Sequence, residues 1–350
     1  CEWGPIRIFK NQSGQLKEAT AEFGLDKFTG WWNGITTGDF DADGRLDIVA
    51  ANWGLNSEYS AAPQRPLELY YGDLLDRGMI DLFETEWDAH ANVLAPRRRL
   101  DVLSRGIPSL LERFRSHKAF SEATFAEVLA PYASRAHKLS VTTLASTVFF
   151  NRGDRFEAAP LPREAQLSPA FGVNVADFNG DGHEDIFLSQ NFFATEPETP
   201  RLDAGRGLVL LGDGAGKFQP LSAQESGIEV YGEQRGSAVS DFDGDGRPDL
   251  VITQNGGATR LFHNAIGKPG VRVRLQGPPA NSAGVGAVLQ LGSGPAREIH
   301  AGSGYWSQDG AVLVFAAAEG EVVVRWPGGK VSKAAVPRDA KEIQIGLATH

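Results

Sequence analysis

One nine-residue pattern occurs three times in the chain and dictates much of what can surround it. The copies run Asp39-Phe40-Asp41-Ala42-Asp43-Gly44-Arg45-Leu46-Asp47, Asp177-Phe178-Asn179-Gly180-Asp181-Gly182-His183-Glu184-Asp185 and Asp241-Phe242-Asp243-Gly244-Asp245-Gly246-Arg247-Pro248-Asp249. Each places side-chain oxygens at positions 1, 3, 5 and 9, and a glycine at position 6, where the chain must turn sharply. A hard cation with six to eight oxygen ligands needs this layout, and flexible carboxylates suit calcium better than magnesium. The expected ligands are the side chains of Asp39, Asp41, Asp43 and Asp47; of Asp177, Asn179, Asp181 and Asp185; and of Asp241, Asp243, Asp245 and Asp249. Arg45, His183 and Arg247, at position 7, are expected to add their backbone carbonyls. The sequence therefore predicts about three bound Ca2+ ions. The competing reading is three acidic surface turns without metal, but a turn does not require oxygen at every second position.

Each loop leads directly into a strand. Short apolar, largely β-branched runs begin at Asp47, Asp185 and Asp249 and end near an asparagine, as buried strands do. An EF-hand would instead carry a bidentate Glu at position 12 and continue into a helix; here position 12 is Ala50, Leu188 or Ile252. Each loop is also preceded, about 26 to 29 residues upstream, by an apolar strand, a glycine turn and an aromatic or leucine. From Asp177 to Asp241 is 64 residues, and a repeat of that size with four short strands is a propeller blade. The spacing from Asp39 to Asp177 is 138 residues. Part of that gap holds Asp73–Asp81, which keeps Asp at positions 1 and 9 and Gly78 at 6, with Leu75 and Arg77 in place of ligands. This is either a decayed fourth loop without calcium, its carboxylates neutralised by Arg77, or an unrelated turn.

Apolar residues at three- and four-residue steps, Ile107, Leu110, Leu111 and Phe114, then Phe125, Val128 and Leu129, predict two short amphipathic helices inserted at about 105–137. The basic run Arg97 to Arg99 just before them reads as solvated surface. After Asn264 the acidic loops cease. Alternating segments at Val271–Leu275, Val285–Leu291, Val312–Phe315, Val322–Trp326 and Ile343–Ile345 predict a separate small β domain. The expected division is thus 1–264, partial propeller, and 265–350, β domain; the fold class is all-β.

A formal net charge of −10 argues against nucleic acid as a partner. Three calcium ions would bring it to about −4, so part of the acidity is a consequence of metal binding. No apolar run reaches transmembrane length. The single cysteine, Cys1, excludes an internal disulfide. Loops of this kind fill at extracellular calcium levels, so an exported protein is expected: extracellular, on the cell surface or periplasmic. The chain starts without Met, in what reads as a strand, which suggests a truncated chain; a lipidated Cys1 is the alternative.

The segments Asn281-Ser-Ala-Gly-Val-Gly-Ala287, Arg297-Glu-Ile-His-Ala-Gly-Ser-Gly-Tyr-Trp-Ser-Gln-Asp309 and Val324-Arg-Trp-Pro-Gly-Gly-Lys330 resemble the ASPIC/UnbV domain. Preceded by loops of FG-GAP/VCBS type, the chain resembles the cartilage acidic protein 1-like family, which has many bacterial exported members. The resemblance implies an integrin-α-like β-propeller followed by the ASPIC/UnbV domain. It further implies calcium binding and an adhesive or recognition role. Such propellers commonly have seven blades, of which this chain would supply about four.

A search for catalytic groups finds little. No two of the seven histidines have zinc-helix spacing, and there is no nucleophile elbow or phosphate loop. The densest constellation is His300, Ser303, Tyr305, Trp306, Ser307, Gln308 and Asp309. It is either a sugar site, by stacking and hydrogen bonding, or a turn whose aromatics dock the tail on the propeller. The expected function is a recognition, adhesion or scaffold module with structural calcium and no catalytic residues, its partner a protein or glycan at the cell surface or matrix. The alternatives are a polysaccharide-active enzyme or a lectin.

Overall fold

In a computed structural model, which describes residues 2–196, 199–316 and 319–347, each loop closes an antiparallel hairpin. Gly34–Gly38 pairs with Asp47–Ala51, Ala170–Ala176 with Asp185–Gln190, and Glu233–Ser240 with Asp249–Asn255. In every case the residue before the loop faces its ninth residue: Gly38 faces Asp47, Ala176 faces Asp185 and Ser240 faces Asp249. Leu67–Gly72 and Asp81–Asp88 pair in the same register, Gly72 facing Asp81, across the fourth loop. Cys1, and with it the lipidation alternative, lies outside the described residues, as does His350.

Further strands widen these hairpins. Thr147–Asn151 and Phe156–Pro160 complete the first sheet, and Leu208–Gly212 and Phe218–Pro220 the second; Gly257–Phe262 gives the third a third strand. The strands after the first two loops are buried throughout, which accounts for their unbroken apolar runs. Successive side chains of a strand point to opposite faces, and the second sheet uses both. Ile186, Leu188 and Leu210 pack against the first sheet with Val49, Ala51 and Val148. Phe187 and Val209 pack against the third with Val239, Leu250 and Ile252. The three sheets therefore stack in sequence order.

The contacts divide the chain into two compact units, residues 1–31 with 57–144 and residues 32–56 with 145–350. All three acidic loops lie in the second unit. Its first sheet is split in sequence: the strand ending at Ala51 neighbours the one beginning at Thr147. The stretch between them accounts for the long spacing from Asp39 to Asp177. In the first unit, the sheet of His137–Val141, Leu67–Gly72, Asp81–Asp88 and Val93–Pro96 carries the fourth loop. Where two helices were expected there are four short ones, Leu100–Gly106, Ser109–Arg113, His117–Ser121 and Phe125–Leu129. Pro108 and the N-caps Ser116 and Thr124 divide the run. Leu103, Ile107, Leu110, Phe125 and Val128 are buried with Phe83 and Tyr132, whereas Leu111, assigned to the same stripe, is exposed. Arg97 also departs from expectation: it is largely buried, stacks on Tyr59 at 3.9 Å and pairs with Glu86 at 2.6 Å and Glu58 at 2.9 Å.

Residues after 264 form two sheets. Val271–Gln276 lies between Val312–Phe315 and Glu342–Gly346, and Ala296–Glu298, Val288–Leu291, Gly320–Arg325 and Val331–Val336 form the other. Val273, Leu289, Phe315, Val322, Val324 and Trp326 share a core of their own. Among the described residues, no helix is long and apolar enough to cross a membrane.

Candidate metal centres

The first aspartate organises each loop from within. Asp39 accepts the N–H groups of Asp43 and Gly44, both at 3.0 Å. Asp177 accepts those of Gly180, Asp181 and Gly182 at 2.8 to 3.0 Å. Asp241 accepts those of Gly244 and Gly246 at 2.8 and 2.9 Å. The sixth-position glycines have φ of +84°, +95° and +85°, a left-handed conformation that L side chains rarely adopt. In the fourth loop Asp73 likewise accepts from Arg77 at 2.8 Å and Gly78 at 2.7 Å, with Gly78 at φ +76°. Asp73–Asp81 thus shares the loop geometry, with Leu75 and Arg77 at positions 3 and 5 in place of oxygen-bearing side chains. Arg77 donates to Asp81 at 2.5 Å, as the neutralisation reading expects.

The ninth aspartate does something the spacing did not reveal. Each of its oxygens takes one backbone N–H, one from position 2 and one from the end of the adjacent strand or just beyond it. Asp47 accepts from Phe40 at 3.0 Å and Asn151 at 2.7 Å. Asp185 accepts from Phe178 at 2.8 Å and Gly212 at 2.9 Å. Asp249 accepts from Phe242 at 2.9 Å and Asn264 at 2.8 Å. These residues staple the loop to its sheet; a metal would use the remaining lone pairs. Burial pushes the Asp47 carboxyl up to about 7 and that of Asp185 up to about 8, against the pull of those N–H groups. Burial also raises Asp39 and Asp177. Enclosed carboxylates hold their charge at neutral pH when a cation lies close.

One carboxylate oxygen each from Asp39, Asp41 and Asp43, and likewise from Asp241, Asp243 and Asp245, lie within 4.8 Å of one another. Oδ1 of Asp41 is buried without a hydrogen-bond partner. Hard oxygens at this spacing, with an orphaned acceptor among them, fit a calcium ion. In the second loop, Asn179 donates to Asp181 at 2.8 Å. The seventh residues play a part not foreseen: the N–H of Arg45, His183 and Arg247 each donates to position 5 at 2.9 Å. The guanidinium groups of Arg45 and Arg247 also fold back onto Asp43 and Asp245. Two further groups come from residues immediately after neighbouring strands, Arg152 at 2.5 Å from Asp41, and His263 at 3.2 Å from both Asp243 and Asp249. Nothing in loop spacing could have indicated them.

The His300–Asp309 turn is tied to the first strand of all three hairpins. Gly304 donates to Ile35 at 2.9 Å. Asp309 accepts from Asn174 at 2.8 Å and Val239 at 2.7 Å, and Ser307 accepts from Ser237 at 3.1 Å. Ser303 donates to Asp309 at 2.8 Å, and Tyr305 packs edge-on against Phe171 at 5.4 Å. His300 lies 3.5 Å from Thr37; Gln308 is exposed. This is the docking arrangement. Trp306 stands apart from it, 91% exposed.

Two of the loop-bearing hairpins lie in segments that match known repeats: residues 2–50 match the FG-GAP-like repeat and residues 235–262 the FG-GAP repeat. The chain is similar to the Cartilage acidic protein 1 of Xenopus tropicalis, at 26% identity over 188 residues, and to that of Homo sapiens, at 28% over 189 residues. Each alignment covers 51% of this chain and 28% of the relative, so the chain spans a minor part of the relatives it matches.

Proposed function

We propose that the chain is a calcium-binding recognition, adhesion or scaffold module of an exported protein. Its stacked sheets would be blades of an integrin-α-like β-propeller, with residues 265–350 as an ASPIC/UnbV domain. The observation that carries this reading is the threefold recurrence of one loop geometry in one compact unit, with carboxylates clustered in the first and third loops and an orphaned oxygen in the first. Similarity to FG-GAP repeats, a fold used for interaction, supports a recognition role, and the calcium loops support an extracellular, cell-surface or periplasmic location. The ions are structural: at free calcium about 100 times Kd, each would add roughly 2.7 kcal/mol to folding. Calorimetric titration of chelator-treated protein should find about three sites and a raised melting temperature; no heat of binding would refute the proposal.

A lectin reading has one observation in its favour. Trp306 stands exposed on a turn pinned at its base, at φ +51°, and a rigid indole face suits stacking on a sugar ring. If glycan is the partner, Trp306→Ala abolishes binding on a glycan array without lowering the melting temperature; unchanged glycan binding refutes it.

A further inference from the structure

We propose that residues 265–347 are seated on the metal loops through the first aspartate of each, so that calcium binding and seating are reciprocally linked, with Arg272 and Arg297 as positioning residues for the ions. The proposal rests on the calcium reading above. Its basis is a regularity across three loops. In each, Oδ2 of the first aspartate accepts the N–H of the sixth-position glycine, and that same oxygen is what the C-terminal segment contacts. Asp39 Oδ2 accepts the N–H of Ala296 at 2.8 Å. Asp177 Oδ2 lies 3.9 Å from Nη2 of Arg297. Asp241 Oδ2 lies 3.4 Å from Nε of Arg272, an ion pair in which that Nε makes no hydrogen bond. The other oxygen, Oδ1, is turned to the loop's own backbone in all three. Oδ1 of each carboxylate therefore serves the loop alone, whereas Oδ2 is shared between the loop glycine and the tail.

Backbone contacts reinforce the arrangement. Gly270 donates to the carbonyl of Gly246 at 2.7 Å, and Lys268 to that of Asn179 at 3.0 Å. A partner on the outer oxygen of a ligating carboxylate fixes its orientation, and loss of such a partner typically costs about 10- to 100-fold in metal affinity. A nearby positive charge acts in the opposite sense, repelling the ion. Positioning should prevail here because both guanidinium groups also face a second carboxylate. Arg297 donates to the buried Glu184 at 2.7 Å, and Arg272 lies 3.3 Å from Glu342. Linkage then runs both ways: if the seated tail tightens calcium, calcium tightens the seat by the same factor.

The test uses the full chain, with calcium titrated by calorimetry and backbone hydrogen exchange followed with and without the ion. Calcium is expected to slow exchange in Val288–Leu291 and Ala296–Glu298. Arg272→Gln is expected to weaken one site about tenfold and to reduce that protection, with partial recovery in Arg272→Lys. Two results would overturn the coupling while leaving calcium binding intact: exchange in the tail that ignores calcium, or Arg272→Gln binding calcium as tightly as, or more tightly than, wild type. Failure of the wild-type chain to bind calcium would refute the calcium reading and the coupling with it. Should Arg272→Gln fail to fold, the wild-type exchange comparison still decides.

Discussion

Within one loop, the fifth and ninth aspartates look interchangeable in sequence but do different work. Asp181 is exposed and its oxygens accept only from within the loop, from His183 and Asn179, so Asp181→Ala should remove one bound ion and lower the melting temperature only when calcium is present. Asp185 satisfies two N–H groups from separate segments. Leaving a buried donor unsatisfied costs about 1–3 kcal/mol, so Asp185→Ala should cost roughly 2–4 kcal/mol in urea unfolding even under chelator. Equal behaviour of the two variants would refute this division of labour. The sixth-position glycines differ as well. A Cβ at Gly246 would sit 2.7 Å from the carbonyl oxygen of Gly270, whereas at Gly44 the nearest atom is 3.7 Å away, on a flexible glutamine. Both substitutions carry the cost of positive φ, but Gly246→Ala should lower the melting temperature further than Gly44→Ala. Asp309 adds a pH dependence. Burial holds its carboxyl above the ordinary 3.8, against three hydrogen bonds that lower it. The native state therefore keeps the proton longer than the unfolded chain, and stability falls as pH rises from 3.8 through the raised pKa. Asp309→Asn removes that component, so melting temperatures of variant and wild type in chelator should diverge, in the variant's favour, from about pH 4 upward.

At the scale of the hairpin, the sequence was legible wherever one residue served two purposes. The ninth aspartate is both loop member and first residue of its strand, so loop and strand could be read together at Asp47, Asp185 and Asp249, and even at Asp81, where the ligands have gone. Helix boundaries were less legible because apolar spacing alone does not register the stops at Pro108, Ser116 and Thr124; the periodicity of Leu110 and Leu111 fitted one helix face, yet only Leu110 is buried. Arg97 misled for a related reason: a run of three arginines looks solvated until tertiary structure supplies Glu58, Glu86 and Tyr59. Arg77 bridges Asp81 and the carbonyl of Gly106, and Oδ2 of the buried Asp81 has no hydrogen-bond partner. Arg77→Ala should therefore destabilise the protein by about 1–3 kcal/mol, equally with and without calcium. A calcium-dependent loss would mean that this loop still holds an ion.

For the whole molecule, the step that sequence could not supply was the interruption of a sheet. Loop spacing measures distance along the chain, and Asp39 to Asp177 looked like a gap with a decayed repeat inside it. The neighbouring strands ending at Ala51 and beginning at Thr147 show in addition one sheet divided by a long excursion. The two ends of that excursion are held together: Asn52 donates its N–H to Ser146 at 3.0 Å and its amide to the carbonyl of Ala145 at 3.4 Å. Every partner named for the three acidic loops, from Arg152 and His263 to Ala296, Arg297 and Arg272, lies in residues 32–56 or 145–347. Loop closure costs grow slowly with length, so the connection between Asn56 and Ala145 has no need of its natural content for the sheet to form. A chain of residues 32–350 with 57–144 replaced by a short glycine–serine linker is therefore expected to bind about three calcium ions, with the affinities of the parent chain. Calorimetry on both chains would check it. A lower stoichiometry in a folded product would show that the excised segment contributes to the sites and that the two units are not separable in function.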